Sequence, residues 1–276
     1  MVSLDIRDET SALMDLCVCR GEAVPDCDSY KPDHPEFDAF PMGRWDRNKL
    51  LVQQEAFYGV MDRNGVRLHF VEPSAVHPWA MYTRDTAFVI GDSLYFSKIR
   101  ELPERTGEID LVRAALPEVP MVEIPGKIEG GDVMPDGDIV FVGLGTRTDP
   151  AAAEALGAYV NVRPIALGPS VMHLDTRMTI LPGRRALICP DPFQDDDLAM
   201  LADRFTLIEV TAAEAKAMAT NVFVVNPETV VVHSGFPRII GAIRDQGLNV
   251  ELVDWSEPNA LLGSFRCATM PLTRAS

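Results

Sequence analysis

A chain of 276 residues that is 47% apolar and 24% charged has the composition of a soluble globular protein, long enough to bury a core without disulfides and to form one large domain or two small ones. Its net charge of −16 at pH 7 argues against nucleic acid and anionic membranes as partners and favours a small cationic ligand. No apolar run reaches membrane-spanning length and Met1 to Glu9 hold no signal-like apolar segment, so a cytoplasmic location is expected.

Five cysteines, Cys17, Cys19, Cys27, Cys189 and Cys267, are odd in number and match no disulfide framework, which fits a reducing compartment. Cys17, Cys19 and Cys27, with His34 as the nearest further ligand, lack zinc-finger spacing. Neither a metal nor a cofactor is expected.

In chain order, residues 1–44 read as an irregular lead-in. Pro25, Pro32, Pro35 and Pro41 alternate with Asp26, Asp28, Asp33 and Asp38, which suits a loop able to serve as a lid. Residues 49–61 carry apolar side chains at helical spacing, Arg63-Asn64-Gly65 ends that helix, and residues 66–71 alternate as a strand. A theme then recurs. Hairpins are predicted over 86–96, 132–142, 177–189 and 222–232, each with turn residues between two apolar runs. Helices follow at 109–116, 150–157, 195–204 and 237–246, then strands at 121–124, 160–165, 206–210 and 249–253.

A polar residue precedes most hairpins at a regular interval. Asp85, Asp132, Asp175, Asn221 and Cys267 are successively 47, 43, 46 and 46 residues apart. A period in the forties marks a repeat architecture. Four clear units and a fainter one at 47–71 predict an α/β chain folded as a single domain over 1–276, a closed ring of ββαβ modules with equivalent loops on one face. Thr83-Arg84-Asp85, Glu129-Gly130-Gly131-Asp132, His173-Leu174-Asp175-Thr176, Thr220-Asn221 and Arg266-Cys267 would then converge.

Taken singly, each position has an ordinary structural reading: a buried thiol in a final strand, a satisfied core histidine, a tight glycine turn. Together they supply a thiol, an imidazole and several carboxylates. The adjoining Arg266 is expected to lower the Cys267 pKa. Crowded carboxylates call for a cation, and a planar guanidinium meets carboxylates with several donors. A thiolate can attack its electrophilic central carbon, and His173 can shuttle protons to the leaving amine and from the incoming nucleophile.

On these motifs, with Gly143-Leu144-Gly145-Thr146-Arg147-Thr148 and Ala268-Thr269-Met270-Pro271, the chain over roughly residues 80–272 resembles the guanidino-group modifying superfamily of arginine deiminases, dimethylarginine dimethylaminohydrolases and amidinotransferases. The resemblance implies a five-bladed α/β propeller with pseudo-five-fold symmetry. It implies Cys267 as nucleophile through a covalent amidino-thioether, His173 as general acid and base, and Glu129 as the group that orients and charges His173. It implies Asp85 and Asp175 as guanidinium ligands, Arg147 as the holder of a substrate carboxylate, and Asp132 within the substrate-binding set. The expected activity is hydrolysis of a guanidine C–N bond in arginine or an arginine derivative, with a small cationic guanidino substrate and a homodimer left open. Transfer of the amidino group to an amine is the alternative, and a silent arginine-binding module a further one. Asp175 matches the deiminases and amidinotransferases, where a second carboxylate favours free N–H donors. The loop before Cys267 lacks the deiminases' glycine run and extra arginine, and Phe265 matches an aromatic of the amidinotransferases. That loop is expected to set the substrate.

Overall fold

The computed structural model describes residues 2–31, 42–97, 99 and 102–275. Its strands fall into five sheets of three. The first comprises β1 (Leu13–Cys19) and β2 (Arg67–Val71), linked by helix α1 (Arg47–Arg63). The second holds β3 (Ala87–Ile90) and β4 (Ser93–Phe96), then α2 (Glu108–Ala115) and β5 (Met121–Glu123). In the third, β6 (Val133–Asp136) and β7 (Ile139–Leu144) lead to α3 (Pro150–Leu156) and β8 (Val162–Ala166). The fourth runs β9 (Met178–Leu181), β10 (Arg185–Ile188), α4 (Asp195–Arg204), β11 (Thr206–Glu209). The fifth runs β12 (Phe223–Asn226), β13 (Thr229–His233), α5 (Pro237–Arg244), β14 (Asn249–Val253). Last comes β15 (Met270–Arg274), which returns to the first sheet and pairs with β1.

Every sheet has the same plan. Its middle strand is antiparallel to one neighbour and parallel to the other, and a helix spans the parallel connection. A parallel pair needs such a crossover, whereas the antiparallel pair needs only a short turn. Gly91 makes one of these turns at φ 59°, a backbone region that favours glycine. The helices start where polar caps allow. Asp46 accepts hydrogen bonds from the amides of Asn48 and Lys49, and Asp149 from that of Ala152 ahead of Pro150.

The lead-in reading needs correction. Residues 13–19 form the middle strand of the first sheet, parallel to β2 and antiparallel to β15. Six of the seven side chains are buried, so the period-two alternation of a half-exposed strand is missing. Cys17 and Cys19 belong to this strand and pack against Val71, Met270 and Leu272. Burial pushes both thiols up, Cys19 to about 12, the opposite of what a thiolate ligand requires. His34, with the rest of residues 32–41 in the segment read as a lid, lies outside the described residues.

Among the described residues the core divides into five clusters, each built by two neighbouring sheets. Phe88 and Tyr95 meet Val133 and Val142; Phe141 and Ile165 meet Met178 and Ile180; Leu181 and Leu187 meet Val224 and Val230. Phe223 and Val231 meet Leu16 and Phe57, and Cys17 and Met270 meet Ala87 and Leu94. The last contact returns to the second sheet, so the series of apolar interfaces closes on itself.

Candidate active site

The five polar positions sit on single turns that run directly into β3, β6, β9, β12 and β15. The first three are one-turn helices at Thr83–Thr86, Gly130–Asp132 and Leu174–Thr176. Neighbouring turns are tied together. Asp132 Oδ1 accepts from the Leu174 amide at 2.8 Å, and Asn221 Oδ1 from the Arg266 amide at 2.8 Å. Asn221 Nδ2 donates to the Asp175 carbonyl at 3.0 Å, and the Arg84 amide to the Cys267 carbonyl at 3.2 Å. Between the first and second turns there is no room for a side chain. A Cβ on Gly130 would lie 2.2 Å from the Arg84 carbonyl oxygen, and one on Gly131 2.7 Å from the His173 ring. The two glycines are thus close-approach residues, and they let the His173 imidazole lie against the backbone.

His173 is buried, and its Nε2 lies 2.8 Å from Glu129 Oε2 while Nδ1 is 3.9 Å from Asp85 Oδ1. Glu129 is also held by Arg147, whose NH1 donates to the same Oε2 at 3.0 Å. Burial opposes charge on both partners. Against it, Asp85, Glu129 and Asp132 lift His173 to about 9, while Arg147 and His173 hold Glu129 well below the usual carboxylate range. The pair is an imidazolium–carboxylate at neutral pH, with one ring nitrogen fixed and the other aimed toward Asp85.

Cys267 is 4% exposed and its sulfur lies 4.0 Å from both carboxylate oxygens of Asp175. Asn221 Nδ2 approaches the sulfur at 3.4 Å. The expected help from Arg266 is present but outweighed. Its guanidinium turns to Glu9, at 2.5 and 3.2 Å, and only its Nε reaches back, 3.6 Å from Asp175 Oδ2. Burial, then Asp175 and Asp85, raise the thiol well above its ordinary value. Burial likewise raises Asp175. The protonated thiol is therefore the favoured form.

Asp85 Oδ2 accepts from Arg105 at 2.7 Å, while its buried Oδ1 has no hydrogen-bond partner. Arg105 also forks onto Glu108, at 3.0 and 2.9 Å. Sequence reasoning missed Arg105. It lies in the connection between β4 and α2, outside the repeated positions.

Asp132 departs from the expectation that it binds substrate. Its Oδ1 holds the Leu174 amide and its Oδ2 accepts from the Thr148 hydroxyl at 2.6 Å. It is not among the residues lining the cleft. Asn221, its equivalent two turns later, does the same work on the Arg266 amide. Burial raises the Asp132 carboxyl to about 7. Arg147 does line the cleft, but the guanidinium meant for a substrate carboxylate is engaged with Glu129. Phe265 stacks on Trp255 at a centroid distance of 4.7 Å in the core and does not line the cleft.

The cleft that joins Cys267, His173, Asp85, Arg105 and Arg147 has a volume of about 70 Å³. Its remaining walls include Trp79, Tyr82, Leu102 and, from the loop before Cys267, Leu261, Leu262 and Gly263. Tyr82 anchors that loop by donating to the Pro258 carbonyl at 3.1 Å. Asp85, Glu129 and His173 bring ligand-capable atoms within 4.8 Å of one another, a set that could hold a cation. Arg105 and Arg147 already supply positive charge to its two carboxylates.

With this geometry in view, the comparisons are specific. The sequence model of the arginine deiminase family matches residues 52–200. The uncharacterized protein YkgA of Bacillus subtilis is 36% identical over 206 residues, 71% of each chain. The N(G),N(G)-dimethylarginine dimethylaminohydrolase of Pseudomonas aeruginosa is 24% identical over 243 residues, 83% of this chain and 91% of that one. Among solved structures, the product-bound N-terminal domain of ArgZ, an arginine dihydrolase of Cyanobacteria, superposes with a TM-score of 0.83 at 19% identity, covering 95% of this chain and 98% of the other.

Proposed function

The chain belongs to the arginine deiminase family, and from that premise we propose that it is a cysteine hydrolase cutting a C–N bond of a guanidine, with arginine or a close derivative as substrate. One observation carries the reading. A buried acceptor with no hydrogen-bond partner among the described residues, Asp85 Oδ1, 3.9 Å from the His173 ring, opens on the same cleft as a buried thiol and that imidazolium. An unpaired buried acceptor is costly, and a guanidinium N–H would relieve it.

The steps follow from the charges. The cation enters between Asp85 and Asp175, and its charge favours loss of the Cys267 proton to water, giving the thiolate that burial and the two carboxylates disfavour. The thiolate attacks the central carbon. His173, fixed by Glu129, gives its proton to the departing nitrogen as the C–N bond breaks, leaving an amidino-thioether. His173 then takes a proton from water, which attacks the same carbon. The C–S bond breaks and a ureido product leaves. Cys267, His173 and Glu129 are the catalytic set in this reading, and Asp85 and Asp175 bind substrate. The same reading takes residues 1–276 as one catalytic unit whose five sheets surround a pseudo-five-fold axis, with the turns gathered at one mouth.

A panel of guanidino compounds tests it, with products identified by mass. A ureido product from the parent, an adduct on Cys267 after acid quench, and a loss of at least ~10⁴-fold in Cys267→Ala are expected. Undiminished turnover in Cys267→Ser would overturn the mechanism. A new guanidino compound formed from an added amine would assign transfer in place of hydrolysis.

A further inference from the structure

Asp132 and Asn221 occupy equivalent places in their units, and each uses one oxygen to hold the next turn's amide. Their second atoms face opposite chemistry. Asp132 Oδ2 meets a donor, the Thr148 hydroxyl at 2.6 Å. Asn221 Nδ2 meets two acceptors, the Asp175 carbonyl at 3.0 Å and the Cys267 sulfur at 3.4 Å. A backbone amide only donates and a carbonyl only accepts, so the network admits one orientation of the Asn221 side chain, oxygen toward Arg266 and nitrogen toward the sulfur. That nitrogen carries two hydrogens, one for each acceptor. An ionised aspartate would serve the Arg266 amide and neither of the other contacts. The link between turns therefore does not by itself account for an asparagine here.

Asn221 is 1% exposed, and a donor in so dry a place is stronger than the same contact in water. The backbone around the contact is strained. Of the three non-glycine residues with left-handed backbone among those described, Met218 (φ 73°) lies three before Asn221 and its carbonyl accepts from the Asn221 amide at 3.1 Å, while Leu262 (φ 65°) lies five before Cys267. Strain of this kind clusters at functional sites. The thiol's own proton has Asp175 as its acceptor, both oxygens lying 4.0 Å from the sulfur. Once that proton leaves, Asp175 and Asp85 oppose the charge on sulfur, whereas Arg266 and a backbone contact from Ser264 favour it. His173, Arg105, Arg147 and Tyr82 are the other titratable groups lining the cleft beside it. A neutral donor already in place strengthens as the sulfur becomes anionic. Unlike a lysine or arginine at the same spot, it would not repel an incoming guanidinium.

We infer that Asn221 is a further catalytic residue, whose Nδ2 donates to the Cys267 thiolate when it forms and again when the C–S bond of the amidino-thioether breaks and its electron pair returns to sulfur. The second event rests on the proposed guanidine chemistry; the first is a property of the thiol alone.

Two measurements on the full chain test it in Asn221→Asp and Asn221→Ala. One is iodoacetamide alkylation against pH, read at Cys267 by mass; the other is steady-state kinetics on the best substrate of the guanidino panel. Asn221→Asp keeps an oxygen for the Arg266 amide and offers at most one O–H to two acceptors. Asn221→Ala removes the donor and adds no charge. In both variants the midpoint of Cys267 alkylation should move up from the parent's. Asn221 does not line the cleft, so kcat should fall roughly tenfold or more while KM stays within about threefold. A brace between turns would slow the reaction without moving the alkylation midpoint. An unmoved midpoint or an unmoved kcat therefore overturns the inference. Either variant decides alone, so the test survives if the other fails to fold. Should the parent turn over no guanidine, the proposed function fails, while the alkylation midpoint still decides whether Asn221 steadies the thiolate.

Discussion

Cys267 stands between two buried charge clusters of opposite balance. On the cleft side, Asp85, Glu108, Glu129 and Asp175 outnumber Arg105 and Arg147. On the far side, Arg84, Arg266 and Arg274 surround the single carboxylate of Glu9. The far cluster has more ties to the backbone: besides Glu9, Arg84 reaches the Arg266 carbonyl at 3.4 Å, and Arg274 the carbonyls of Ser11 and Val224 at 2.5 and 2.8 Å, although Arg84 Nη2, Arg266 Nε and Arg274 Nε are buried without hydrogen-bond partners. Burial draws Arg84 and Arg274 down to about 10, yet Glu9 is held below its usual range against its own burial. The cleft-side cluster is open, with an orphaned Asp85 oxygen and an Asp175 whose ionised form burial disfavours. One cluster is structural cement. The other carries a surplus of carboxylates, which the cationic substrate proposed above would balance.

Substitutions should therefore act with opposite sign on the two sides. The largest stability effect is expected from Glu9→Gln, which removes the carboxylate shared by three buried guanidinium groups. A loss of about 3–5 kcal/mol at neutral pH is expected in urea unfolding. Because the Glu9 carboxyl is depressed in the fold, this contribution is present above the unfolded value of 4.5. It fades as pH falls through the lower folded value, so the gap between parent and variant should narrow in acid. A loss below about 1 kcal/mol would erase the contrast drawn here.

Asp175→Asn should do the reverse. Its carboxyl is raised in the fold, so its charged form weakens the empty protein above that value. The variant should gain about 1 kcal/mol at pH 8 while losing at least ~10²-fold in kcat/KM. In the parent, alkylation of Cys267 should rise with a midpoint above the ordinary thiol value of 9.0. Removing the neighbouring carboxylate should lower that midpoint. A parent midpoint near 7 would contradict the charge balance of the cleft.

The smallest effect is expected at Asp132, whose carboxyl is raised to about 7. The protonated form belongs to the fold, so its contribution is full in acid and lost as pH rises through 7. Parent stability should drop by roughly 1 kcal/mol between pH 6 and 8 on this account, and Asp132→Asn should flatten that slope. Equal slopes in parent and variant would show that the Thr148 and Leu174 contacts hold Asp132 ionised.

These contrasts also mark how far the sequence could be read. Hairpin, helix and strand recur at the expected places because each unit has an amphipathic helix and a buried hairpin, which local pattern records. The strand at 13–19 escaped because it is buried on both faces and its partner β15 lies at the far end of the chain. Periodicity found the five turn positions but not their assignments. Asp85 and Cys267 line the cleft and Asp175, itself off the lining, lies 4.0 Å from the sulfur, whereas Asp132 and Asn221, at the same places in their units, hold the next turn's amide. A carboxylate and an amide serve that link equally well, so residue type could not distinguish a ligand from a brace. Arg105 and the Glu9 partnership of Arg266 depend on long-range proximity, which spacing does not encode.

The pairing of β1 with β15 bears on when the protein becomes competent as well as on how it is held. Glu9 and Arg266 are 257 residues apart, and a contact that distant is among the last a folding chain secures. Its entropic penalty grows only with the logarithm of the loop, so the delay is kinetic more than thermodynamic. The thiol lies three residues before β15 and gains its surroundings only when that strand docks. A chain that has formed the other four sheets but not docked β15 would lack the turn that sets the Cys267 sulfur 4.0 Å from Asp175.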